Sequence, residues 1–188
     1  MKINTVIYVI LLSAYLFLVQ DAKAENIHFN NDIYVLKTSR FSNINKGFEN
    51  EYFPETDEKS DWSKIIGIYY YPDIKDPIKF AQNADKEIET KSTVVLLKFI
   101  ANKKQNKAVL SFLDSGETNG KVYFEHNIYK YEPHPTKGMM ILRYAKRYFA
   151  SSNEDATEIG HEIKEVNDDL MEQIIISQMP LLVEKEID

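Results

Sequence analysis

The stretch Ile65-Ile66-Gly67-Ile68-Tyr69-Tyr70-Tyr71 is apolar in both phases of a two-residue alternation, and this constrains the fold more than any other feature. Successive side chains of an extended strand point to opposite faces, so such a strand has to lie centrally in a sheet covered on both sides. Trp62 leads into it and Pro72 ends it. Two later runs, Val122–Tyr131 and Met139–Phe149, flank the turn-forming His134-Pro135-Thr136-Lys137-Gly138 and predict an antiparallel hairpin. Thr93–Ala101 and Ala108–Leu113, joined by the polar turn at 102–107, predict another. Near the start, Ile27–Lys37 reads as two short extended runs hinged at Asn30-Asn31-Asp32.

Helical periodicity supplies the cover. Asp76 can accept an orphan backbone N–H and Pro77 loses nothing at the first helical position. Phe80, Ala84 and Ile88 then recur at spacing four, predicting a helix to about Thr90. Ile159, Ile163, Val166, Leu170 and Ile174 predict a second, from about Ala156 to Gln178, with Pro180 ending it. Phe41–Lys59 is the most polar stretch and reads as a long loop interrupted by a short strand at Asn50–Phe53. Asp114-Ser115-Gly116 and Asn119-Gly120 read as loop punctuation. The expectation is an α+β fold, a predominantly antiparallel sheet with helices on both faces. This order of elements resembles the PsbP-like fold of photosynthetic extrinsic proteins and their relatives. The likeness spans most of the chain and lies in element order, so it transfers no functional residue. It implies an α/β/α sandwich engaged in binding and assembly rather than catalysis.

The N-terminus bears on location. Lys2 precedes an apolar run from Val6 to Val19 broken only by Ser13, and Ala22-Lys23-Ala24 supplies the small residues a signal peptidase reads. The run is shorter than the roughly 20 residues a spanning helix needs. Residues 1–24 therefore read as a signal peptide and 25–188 as one globular domain, exported to the periplasm or beyond the cell and leaving no membrane segment after cleavage. An uncleaved anchor is the alternative reading. The chain has no cysteine, so no disulfide staples the domain and no lipidated cysteine follows the signal; export without disulfides is ordinary in bacteria. The net charge of −6 becomes more negative on cleavage, because Lys2, Lys23 and Asp21 leave together. The short run Lys103-Lys104-Gln105-Asn106-Lys107 reads as a solvated hairpin tip, so neither nucleic acid nor an anionic lipid surface is expected as a partner.

Candidate chemistry is sparse. None of His28, His126, His134 and His161 shares a helix face with another, and Glu158-Ile159-Gly160-His161 is only half of a di-iron motif. No metal site and no cofactor is expected. There is no nucleophile elbow and no phosphate-binding glycine loop. His126 shares a phase with Val122, Phe124 and Ile128, and on the next strand Arg143 and Arg147 share one with Ile141, Ala145 and Phe149. If those faces coincide, an imidazole and two guanidinium groups meet, as a general acid–base pair or an anion pocket. A histidine satisfied within the sheet and arginines reaching solvent is the structural alternative. Tyr123, Tyr129 and Tyr131 share one face, where rings can anchor a partner or pack in the core. The reading that follows is a non-catalytic exported binding or accessory protein with a protein partner. The alternative is an exported hydrolase using His126 with Arg143.

Overall fold

The computed structural model describes residues 26–43, 46–118 and 120–187; the expected signal peptide lies outside them. Eight strands form one antiparallel sheet: β1 (Asn26–Phe29), β2 (Asp32–Ser42), β3 (Gly47–Pro54), β4 (Lys64–Tyr71), β5 (Val94–Asn102), β6 (Lys107–Thr118), β7 (Lys121–Pro133) and β8 (Met139–Ala150). Their order across the sheet is β1-β2-β3-β4-β8-β7-β6-β5. Two helices, α1 (Pro77–Glu89) and α2 (Asn153–Ile176), complete the described elements. β4 is central, as its double apolarity requires, pairing with β3 on one side and β8 on the other.

The parity of each strand sorts the core. Ile66, Ile68, Ile128, Leu142 and Tyr144 pack with Leu170, Met171 and Ile174 of α2. On the opposite face Leu110, Tyr131, Met139 and Ile141 pack with Ala81 and Ile88 of α1. The helix starts follow the local chemistry. Lys79 N donates to Asp76 Oδ1 at 3.1 Å ahead of Pro77, and Asp155 N donates to Ser152 Oγ at 3.1 Å. At the end of α2, where the last turn carries no basic residue, the buried Lys130 donates to Ser177 O at 2.6 Å. It places a cation where the helix carbonyls are unpaired.

The expected helix–sheet–helix sandwich is overturned. The architecture is an eight-stranded antiparallel sheet with two helices of 13 and 24 residues, too few to form helical layers. α1 packs mainly on β5, β6 and β7. The rest of that face is held by a small cluster of Phe53, Trp62, Ile65 and Ala145, with neither of the described helices above it. Phe41–Lys59 is also corrected: β2 runs to Ser42 and β3 is an eight-residue strand, so the polar stretch is a hairpin. Asp114-Ser115-Gly116 belongs to β6 rather than to a loop. There the Tyr123 ring lies across the strand over Gly116, and a Cβ at that glycine would sit 2.6 Å from the tyrosine hydroxyl. The aromatic ring replaces the packing the glycine lacks.

Candidate binding basin

The part of the α1 face without a helix opens as a basin of about 530 Å³ lined by Thr38, Arg40, Glu51, Phe53, Lys59, Trp62, Ile65, Glu125, Arg143 and Arg147. Register assembles it. β7 pairs with β8 so that Glu125 stands opposite Arg147 and Tyr129 opposite Arg143, while Gly67 of β4 stands opposite Arg143 from the other side. A side chain at Gly67 would strike the Tyr69 ring. The glycine thus leaves room for Tyr69 to fold along the sheet beside the Arg143 guanidinium.

Glu125 is the hub. One carboxylate oxygen accepts from Arg143 Nη2 at 2.7 Å and the other from Arg147 Nε at 3.0 Å. Arg143 also donates through Nε and Nη2 to Asn127 Oδ1 at 3.2 and 3.1 Å. It lies over the Tyr129 and Trp62 rings at 5.6 and 5.8 Å. Burial alone would lower the Arg143 pKa; the Tyr129 and Tyr69 hydroxyls and Glu125 outweigh that, holding it above its ordinary value and charged. Burial pushes the Tyr69 and Tyr129 hydroxyls up, so both stay neutral donors and acceptors. Arg147 is held differently. Its guanidinium lies 3.7 Å from the Trp62 ring centroid and 4.9 Å from that of Tyr123, a cation held against two aromatic rings. Among the described residues its side chain hydrogen-bonds through Nε alone.

The site residues expected from sequence separate. His126 is fully buried on the α2 face, opposite Lys146 in register. Arg143 and Arg147 lie on the other face, so the imidazole and the guanidinium groups do not meet. Around His126, Nε2 and Ser111 Oγ both donate to Asn167 Oδ1, at 2.9 and 2.5 Å, and Ser111 Oγ is 3.3 Å from Nε2. A serine, a histidine and an amide thus converge, but Asn167 takes the same nitrogen that faces the serine. Nδ1, which an orienting residue would hold in a catalytic triad, has no partner among the described residues. Burial, with Lys146 nearby, pulls the His126 pKa down despite the Asn167 hydrogen bond, keeping the ring neutral. Of the three tyrosines, Tyr123 borders the basin. Tyr131 is 3% exposed beneath α1, and Tyr129 stacks between it and Phe112. Tyr131 is core, and Tyr129 is half-buried against it. Sequence reasoning missed Trp62, Glu125 and Asn127. The signal that could have found them was the acidic residue two positions from each of Tyr123 and Asn127, set against two arginines four apart on the partner strand. Among the described residues, no group of three or more histidine or acidic side chains could hold a metal ion, and no helix is long and apolar enough to cross a membrane.

Fold and site together define a class: an antiparallel-sheet protein with a rigid arginine–aromatic basin on the open part of one face. A protein-family model matches residues 22–179, and the chain belongs to that family, one of unknown function. No curated protein and no solved structure matches the chain.

Proposed function

We propose that this is an exported, non-catalytic binding or accessory protein, periplasmic or extracellular, and that the basin is where it meets a protein partner. One observation carries the reading: Arg147, packed against the Trp62 and Tyr123 rings at the open part of a sheet face. Tryptophan, tyrosine and arginine are the residues that dominate binding energy at protein interfaces. A small-molecule pocket is instead mostly apolar and encloses its ligand, whereas this basin is lined largely by polar and charged groups. The hydrolase alternative loses the support it had, since His126 and Arg143 lie on opposite faces of the sheet. Export rests on the apolar run Val6–Val19 and Ala22-Lys23-Ala24.

The test is partner capture from extract of an exporting host. Trp62→Ala and Arg147→Ala should each retain a cooperative melt and lose capture at least about tenfold, the loss expected of an interface anchor. Variants that fold normally and capture as well as the wild type would overturn the reading.

A further inference from the structure

We infer that the basin reads a single carboxylate on its partner, an aspartate or glutamate side chain, through the outer edge of Arg147. The inference deepens the partner-binding reading and rests on it. A guanidinium carries five N–H donors in a rigid fork that matches a carboxylate with two parallel hydrogen bonds. Arg143 is spent inside the protein, on Glu125 and Asn127. Arg147 commits only Nε to Glu125. Its Nη1 and Nη2 pair is a complete end-on fork, and the residue lines the open basin.

Two features make this fork a receptor rather than a surface charge. Trp62 at 3.7 Å and Tyr123 at 4.9 Å pack their rings against the guanidinium, which shields part of it from solvent. The side chain is 17% exposed and pinned at Nε, so the ordering that a free arginine undergoes on binding is already complete. The charge of the lining then selects the ligand. Arg40, Lys59, Arg143 and Arg147 face Glu51 and Glu125, a modest cationic excess on a chain of net charge −6. One negative charge is drawn in, while a second is brought against two fixed carboxylates. This favours a carboxylate over a phosphate dianion. The Trp62 ring, backed by the buried Phe53 and Ile65, gives the methylene groups of an acidic side chain an apolar contact.

Trp62 is the chain's only tryptophan, so its fluorescence reports the basin directly. The full chain is titrated at pH 7.5 and matched ionic strength with a blocked Gly-Glu-Gly tripeptide, with blocked Gly-Gln-Gly, with sodium acetate and with sodium phosphate. The glutamate peptide should give a saturable change in Trp62 emission. The glutamine peptide should give none, and phosphate and acetate should bind more weakly. Arg147→Lys keeps the charge without the fork and should weaken the glutamate peptide about tenfold or more. The inference is overturned if glutamine matches glutamate, if phosphate binds more tightly, if acetate binds as well as the peptide, or if a folded Arg147→Lys is unchanged. The wild-type titrations decide the matter even if that variant misfolds. A silent glutamate peptide, together with capture still lost in Trp62→Ala, would sink the carboxylate inference and leave the partner site standing. Capture indifferent to both Trp62→Ala and Arg147→Ala would remove the partner site itself.

Discussion

Replacing Glu125 by alanine should destabilise the protein through the two arginines it leaves behind. The carboxylate is 12% exposed and its partners Arg143 and Arg147 are 16% and 17% exposed, at 2.7 and 3.0 Å. Hydrogen bonds to charged groups contribute about 1.5–3 kcal/mol each, and removing one partner of a buried pair costs about 3–5 kcal/mol. Both arginine side chains keep some exposure, and Arg143 keeps Asn127, so the low end applies: about 2–3 kcal/mol. For a chain of this size that is a fall in Tm of about 4–12 °C. Glu49→Ala is the matched comparison. It breaks the 2.9 Å pair with Arg40, whose side chain is 60% exposed, and should cost about 1 kcal/mol or less. Urea unfolding of both variants, with unchanged dependence on denaturant, gives the two values. A Glu125→Ala midpoint no lower than that of Glu49→Ala would refute the assignment of Glu125 as the group that organises the basin.

Other outcomes follow from the same structure. Leu170 is buried in the core beneath α2 and Glu165 is exposed on its outer side; Leu170→Asp should cost several kcal/mol by burying an unpaired carboxylate, and Glu165→Ala should stay within about 0.5 kcal/mol, both read as urea midpoints. Because burial lowers the His126 pKa, the unfolded chain binds a proton near pH 6.5 that the folded one refuses, so stability should fall as pH drops below about 6.5 and level off below the folded pKa. His126→Gln should flatten that fall between pH 7.5 and pH 5, and an unaltered slope would contradict the neutral, dry histidine. Tyr131→Ala, under α1, should lower the melting temperature far more than Tyr123→Ala at the basin's edge; the reverse order would mean the two rings are misplaced. Mass spectrometry of protein from an exporting host should find Glu25 at the mature N-terminus, and intact Met1 in the membrane fraction would favour an anchor.

The parts of the fold legible in the sequence were those where burial on one or both faces imposes a period. β4 is apolar in both phases, α1 carries a capping Asp76 and Pro77, and α2 repeats its apolar residues at three and four. β3 escaped because Glu49 and Glu51 line or border the open face, where charge stays wet, while the opposite phase holds the buried Asn50. Asn50 is polar yet fully buried because its side chain binds the backbone of Val183 in the C-terminal tail, donating to the carbonyl at 2.9 Å and accepting from the amide at 2.7 Å. No local pattern announces a partner 133 residues away. The end of β6 escaped because Gly116 breaks a strand unless something covers it, and Tyr123 does so only once β6 and β7 are in register. Register also decided the site. Each strand's phase was readable, but whether His126 or Glu125 faces the arginines depends on a one-residue offset between β7 and β8 that exchanges every side chain between faces. The offset that occurs puts Glu125 with Arg147 and buries His126 elsewhere.

The central claim, that the basin is a partner-binding surface, is tested most directly by where the protein cross-links to its partner in living cells. A photoreactive residue is placed at Lys59, exposed at the rim of the basin, or at Glu172, exposed on α2 on the opposite face. The same partner should be trapped from position 59 and not from position 172, and the adduct at 59 should disappear when Arg147 is replaced by alanine. A partner trapped from 172 and not from 59 would contradict the account.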